Sequence, residues 1–265
     1  MRQSRRTKRN RAVRGPVYAC VHEVIQLPRR YEFVRPHFVP APARRLFRRV
    51  VHFFCYNFLL RRSRATETKA AGFSLVVRPT VFHPRWFVTS EFFAGFIGEL
   101  DLQGKRVLDI GTGSGILALA AARGGASSVT AIDINPNAAL NTAENARRNG
   151  LGNRVRAVCS NLLTALGREA QFDVIVTNPP YFAGEPRDLA DRAWHAGPDC
   201  CDIAALFEQA RERLAPGGAA YLLVSSESDL DLFAALIDRA GFRARLAAKR
   251  SLIVESLLIY ALETG

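Results

Sequence analysis

From about residue 72 onward, short apolar runs alternate with amphipathic stretches. KRVLDI (105–110) reads as a strand, and the glycine-rich GTGSG behind it opens into ILALAAAR, a helix stopped by Gly124 and Gly125. SSVTAIDI (127–134) is a second strand. A helix over 135–150 follows, closed by Gly150, with Arg147 and Arg148 in its last turn where cations suit the helix dipole. Further strands are read at 154–160, 172–178 and 217–226, and helices at 202–214 and 229–240. Strands separated by helices of this length imply a parallel sheet covered on both faces. The last two strands, 242–249 and 253–261, have no helix between them, so they are expected to pair as an antiparallel hairpin. The pattern therefore predicts an α/β fold with a doubly wound, mostly parallel seven-stranded sheet that ends in that hairpin. Phe92, Phe93 and Phe96 lie at helical spacing and are assigned to core packing.

The first 70 residues follow a different pattern. They hold 18 Lys and Arg against three acids, a net of +15, whereas residues 71–265 hold 19 against 21, a net of −2. The chain's net charge of +13 thus belongs to an N-terminal arm rather than to the regular part. Two units are expected, a basic extension over 1–70 and a folded domain over 71–265. Residues 1–14 are Arg-rich and nearly free of apolar side chains, which predicts disorder. Five prolines between 15 and 42 argue against a long helix there. A short apolar helix is expected near 46–60, between two Arg clusters; it either packs on the domain or meets an anionic surface, membrane or RNA. The 11-residue apolar run 50–60 is too short to cross a bilayer, which needs about 20 residues, so no transmembrane segment is expected. The five cysteines are odd in number and show no zinc-type spacing, which suggests free thiols in a reducing, cytoplasmic compartment and no metal site.

Candidate chemistry gathers where strands run out. In open α/β sheets, ligands bind beyond the carboxyl ends of the strands. The first strand leads directly into Gly111, Thr112, Gly113 and Gly115, and glycines let a backbone turn tightly and approach a ligand closely. Asp133, with Ile134 beside it, ends the second strand 22 residues after Gly111. An ionised carboxylate there is placed to accept both hydroxyls of an adenosine ribose. The sequence reads GTGSG rather than GxGxxG and contains no GxxxxGK[ST], which excludes a P-loop.

The run VLDIGTGSG, with Asp109 preceding the glycines, resembles motif I of class I S-adenosylmethionine-dependent methyltransferases, a Rossmann-like fold. The resemblance implies S-adenosylmethionine as cofactor and puts Asp133 at the ribose position. It puts Asn161 and Leu162 at the adenine contact, where Asn161 stands in for the more usual Asp.

The second constellation is Asn178-Pro179-Pro180-Tyr181, directly after the strand at 172–178. Consecutive prolines fix the backbone and remove N–H donors, leaving carbonyl acceptors. The Asn178 oxygen and the Pro179 carbonyl suit the two hydrogens of a planar –NH2, and the Tyr181 ring suits the flat group that carries it. Drawing the nitrogen lone pair out of conjugation would aim it at a sulfonium methyl, with no metal or general base needed.

NPPY resembles motif IV of amino-methyltransferases, shared by adenine N6-methyltransferases and by the glutamine N5-methyltransferases of translation release factors. Three segments resemble the latter: His83-Pro84-Arg85 with Thr89-Ser90-Glu91, then Arg192 to Gly197, and the C-terminal 240–262. The resemblance covers about residues 80–262 and implies a protein glutamine acceptor, with Ser90 near the cofactor. The alternatives are an adenine N6-methyltransferase, with the arm gripping RNA or the ribosome, and a non-catalytic binding module of the same fold. His195 is read as a loop residue near the site, and Cys200-Cys201 as unbridged thiols.

Overall fold

The computed structural model describes residues 50–264, apart from 51, 54, 61, 85–87, 253 and 254. The expected disorder over 1–14, the proline-rich stretch and the start of the apolar helix at 46–49 lie outside the described residues. Within them, a helical segment at Cys55–Leu60 leads into a hairpin of β1 (Thr66–Ala70) and β2 (Phe73–Val77), which the pattern had not predicted. Residue 70 is the last of β1, so a domain boundary there cuts this hairpin at its turn.

All seven expected strands form one sheet. They are β3 (Arg106–Ile110), β4 (Ser128–Asp133), β5 (Val155–Cys159), β6 (Phe172–Thr177), β7 (Leu214–Ser225), β8 (Phe242–Ser251) and β9 (Ser256–Thr264). Their spatial order is β5-β4-β3-β6-β7-β9-β8. The strands from β3 to β7 run parallel, and β9 is antiparallel to both β7 and β8, as the missing crossover requires. The order reverses between β3 and β6, the switch point where helices leave for opposite faces and a crevice opens.

Among the described residues, five α-helices cover the sheet: α1 (Val88–Gly98), α2 (Ile116–Arg123), α3 (Pro136–Arg148), α4 (Cys201–Arg213) and α5 (Leu230–Arg239). One apolar layer joins α1 and α2 to the sheet through Phe92, Phe93, Ile97 and Leu119; the other joins α4 and α5 through Ile203, Phe207 and Phe233. Phe92 and Phe93 are core side chains, and Phe96 packs at the margin against Tyr221. α2 is buried along nearly its whole length, which its alanine-rich sequence permits by bringing backbones close.

The β1–β2 hairpin is fixed to α3 by side-chain amides as well as by apolar contact of Val77 with Ala138. The buried Asn145 side chain accepts from the Val76 N–H at 2.8 Å and donates to the Val76 and Ser114 carbonyls, both at 2.9 Å. Asn141 accepts from the Arg78 N–H at 3.1 Å. Buried polar groups hold their place only when paired in this way. The result fixes residues 78–82 over the carboxyl end of the sheet. No helix among the described residues is long and apolar enough to cross a membrane. Cys159, Cys200 and Cys201 are free thiols.

Candidate active site

Strand pairing brings the two sequence motifs together. Ile110, the last residue of β3, is in register with Thr177, the last of β6, and the Thr177 hydroxyl donates to the Ile110 carbonyl at 2.9 Å. Gly111 and Asn178 therefore leave the sheet side by side. On the other flank Ile110 pairs with Ile132, and Asp133 pairs with Cys159. Four neighbouring strand ends thus deliver four segments to one rim: 160–162, 133–134, 111–113 and 178–181.

These segments line a single cavity of about 460 Å³. Gly111, Thr112, Gly113, Asp133, Ile134, Asn161, Leu162 and Ser90 line it together with Asn178, Pro179, Pro180 and Tyr181. The volume falls within the range of small-molecule and cofactor sites. The Asn178 side chain makes no hydrogen bond within the described residues, so its amide is available to whatever fills the cavity. Leu162 holds φ at +46°, a conformation that costs energy in a bulky residue.

Asp133 organises the glycine turn. One carboxylate oxygen accepts the Gly113 N–H and the other the Asn135 N–H, each at 2.9 Å. Burial pushes its carboxyl pKa upward, and these two donors act against that rise. Each oxygen keeps a further lone pair for a ligand hydroxyl. The Gly111 and Thr112 N–H groups both reach the Ile132 carbonyl, at 2.8 and 3.0 Å, which clamps the turn to β4.

Two residues of the glycine motif, Asp109 and Gly115, stand outside the cavity lining. Asp109 is fully buried behind the turn, where one oxygen accepts from the Thr112 hydroxyl at 2.7 Å and the Ala118 N–H at 3.2 Å. Gly115 packs against α3: a Cβ there would meet the Thr142 Cα at 3.0 Å, and its φ of +84° suits only glycine. Neither lines the cavity, so both shape the turn from behind it.

Burial carries the Asp109 carboxyl from 3.8 to about 7. A raised folded-state value means that the stabilising contribution is complete below the unfolded pKa and is lost as pH rises toward the folded one. The stability of the wild-type protein, measured against Asp109→Asn, is therefore expected to fall by about 2 kcal/mol between pH 5 and pH 7. Urea unfolding of both proteins across that range checks this; parallel stability curves would show that Asp109 titrates normally.

Several known proteins are similar to this chain. The family model described as ribosomal protein L11 methyltransferase (PrmA) matches residues 89–185, from the start of α1 through NPPY. The tRNA1(Val) (adenine(37)-N6)-methyltransferase of Shewanella halifaxensis is 35% identical over 145 residues, covering 54% of this chain and 58% of its own length. The release factor glutamine methyltransferase of Bordetella pertussis is 38% identical over 156 residues, covering 54% of this chain and 56% of its own. The solved T. thermophilus 16S rRNA N2 G1207 methyltransferase (RsmC), in complex with AdoMet and guanosine, superposes with a TM-score of 0.56. That match has 26% identity and covers 76% of this chain and 50% of the solved one. The chain shares its seven-stranded, mostly parallel α/β fold with these methyltransferases. It spans less than two thirds of the length of these relatives.

The same cavity is lined by residues that the sequence had not marked. Glu255 lines the cavity because β9 runs antiparallel, which brings the residue before its first position to the carboxyl rim. The Ser225 hydroxyl donates to its carboxylate, and burial raises its pKa. Glu227, Phe82 and Leu189 line the same cavity. Arg192 and Trp194, seen in the sequence only as part of a resemblance, also face it, and Arg192 pairs with Asp202 at 3.3 Å.

Proposed function

We propose that this protein transfers a methyl group from S-adenosylmethionine to a planar –NH2 nitrogen, with a protein glutamine side chain as the favoured acceptor. The observation that carries the reading is the single cavity shared by the Gly111 turn, Asp133 and the Asn178 amide, which is unpaired among the described residues. In this reading Asp133 accepts the ribose hydroxyls, Asn161 and Leu162 flank the adenine, and Gly111 to Gly113 leave room for the cofactor's tail. Ser90 stands in the first turn of α1 and lines the same cavity. S-adenosylmethionine, when bound, supplies an electrophilic methyl on sulfur.

The remaining work is done by NPPY. The Asn178 oxygen and the Pro179 carbonyl accept hydrogen bonds from the two N–H groups of the acceptor nitrogen and hold its lone pair toward the cofactor side of the cavity; one of those protons passes to solvent once the methyl is on nitrogen. Pro180 keeps the turn rigid, and the Tyr181 ring supports the planar group. Burial raises the Tyr181 phenol above its ordinary pKa, so it stays neutral. Fixed acceptors of this kind act by positioning and preorganised electrostatics. The free thiols of the domain fit a reducing compartment, and we place the reaction in the cytoplasm.

The glutamine preference rests on the segments at 83–91 and 192–197, which resemble the release-factor enzymes, and on the 38% identity with one of them. A second reading, adenine N6-methylation of RNA, is favoured by the net +15 of residues 1–70. Tritiated S-adenosylmethionine incubated with the full-length protein and a cell lysate separates the two. Protease is expected to release the label; release by nuclease instead would establish the nucleic-acid reading, and no incorporation would reject both.

A further inference from the structure

The N-terminal segment reaches the acceptor side of the cavity. Beyond NPPY, residues 182–197 form a loop closed at its base: the Ala196 N–H donates to the Phe182 carbonyl at 2.9 Å and the Gly184 N–H to the Gly197 carbonyl at 3.0 Å. Its regular structure is limited to a 3₁₀ turn at Asp191–Ala193, and long closed loops of this kind are usually functional. This one presents Trp194 to the cavity. Its indole stacks on Phe182, with centroids 5.3 Å apart at 27°, and Phe182 meets Tyr181 edge-on at 5.1 Å.

Residues far away in sequence hold the loop. The His52 ring stacks on Trp194 at 5.0 Å and 26°, and its Nε2 bonds to the Asp191 carboxylate at 2.9 Å. The Tyr56 hydroxyl donates to the Asp188 carboxylate at 2.7 Å, and the Arg187 guanidinium lies 3.9 Å above the Tyr56 ring. Tyr56 and Leu60 also bury apolar surface against Ala190. A row of rings thus runs from His52 through Trp194 and Phe182 to Tyr181.

The cluster has the composition of a metal site: ligand atoms of His52, Asp191 and His195 lie within 4.8 Å of one another. Its hydrogen bonding argues otherwise. The Asp191 oxygens already receive four donors, three from Arg187 at 2.9 to 3.1 Å and one from His52. A carboxylate offers about four lone-pair positions, so none remains for a cation. Burial alone would raise the Asp191 pKa, but the Arg187 and His52 donors hold it well below the usual carboxylate range. The cluster is a charge-paired clamp.

We propose that His52 and Tyr56 are positioning residues for the acceptor half of the active site. Through Asp191, Asp188 and the Trp194 ring they press the 182–197 loop against the cavity, so the N-terminal segment completes the wall that the methyl acceptor meets. The inference rests on the methyl-transfer reading for its functional half only. The cofactor half, built on strand ends β3 to β5, does not depend on either residue.

The test uses the full chain in a Trp86→Phe background, which leaves Trp194 as the sole indole, since the sequence has two tryptophans. His52→Ala and Tyr56→Phe are expected to shift Trp194 emission to longer wavelength and to raise acrylamide quenching severalfold. His52→Gln, which keeps an N–H for Asp191, is expected to recover part of the change. In the tritium assay, His52→Ala is expected to raise the half-saturating lysate concentration about tenfold, with the calorimetric Kd for S-adenosylmethionine within about twofold of wild type. Unchanged Trp194 fluorescence overturns the clamp. Unchanged half-saturation, or an equal loss of cofactor affinity, overturns the positioning role. If wild-type protein transfers no label, the methyl-transfer reading has failed, and the fluorescence result still decides the clamp.

Discussion

Asn178→Ala is expected to lower methyl transfer by two to three orders of magnitude while the calorimetric affinity for S-adenosylmethionine stays within about twofold of wild type. Removing one preorganised hydrogen-bonding partner of a reacting group typically costs about 10²–10³ in rate. Asn178 follows Thr177, whose register with Ile110 sets it beside the glycine turn. Its amide bonds to nothing in the described residues, so truncation breaks no internal contact and the fold is expected to survive. The proposed work of that amide is confined to the acceptor nitrogen: it accepts one hydrogen bond and keeps the nitrogen pyramidal enough to attack. The proposed cofactor contacts are other residues of the cavity, Asp133 and 160–162, and are untouched. Asn178→Asp keeps an acceptor oxygen at the same place and is expected to retain more activity than the alanine variant. Full activity in Asn178→Ala would remove this residue from the chemistry, whatever the acceptor is.

The sheet was legible because each strand between β3 and β7 is a short apolar run followed by a helix with its own stop signal, and that grammar is local. The site was legible for a related reason. Strand ends in a parallel sheet share one rim, so Gly111, Asp133 and Asn178 could be placed there from order alone. Which residue of a motif faces the ligand is a matter of side-chain direction, and there the sequence pattern fails: Asp109 and Gly115 belong to the motif yet support it from behind. The β1–β2 hairpin escaped because TETKA is polar and mostly exposed, and its anchor is a set of α3 amides some 70 positions away. Glu255 reaches the rim only through the antiparallel return of β9. His52 touches Asp191 across 139 positions, a pairing that no periodicity encodes.

Asp133→Asn is expected to weaken S-adenosylmethionine binding by about 10- to 100-fold, and Asp133→Ala by at least as much. The argument turns on hydrogen-bond polarity. Two backbone donors, Gly113 and Asn135, point at the two carboxylate oxygens from 2.9 Å. An asparagine offers one oxygen and one NH2, so one of those N–H groups would face another donor. The glycine turn or the start of α3 must then give way, and one proposed ribose hydroxyl also loses its charged acceptor. Hydrogen bonds to charged groups are worth about 1.5–3 kcal/mol, and each 1.4 kcal/mol is tenfold in affinity. Binding is also expected to weaken on acidification, at a higher pH than an ordinary aspartate would show, because burial has raised this carboxyl and the protonated form loses acceptor capacity. Calorimetric titration of wild type and both variants across mildly acidic to neutral pH measures both effects. Equal affinities for wild type and Asp133→Ala would show that the cofactor's ribose lies elsewhere, and with it the orientation assumed for Asn178.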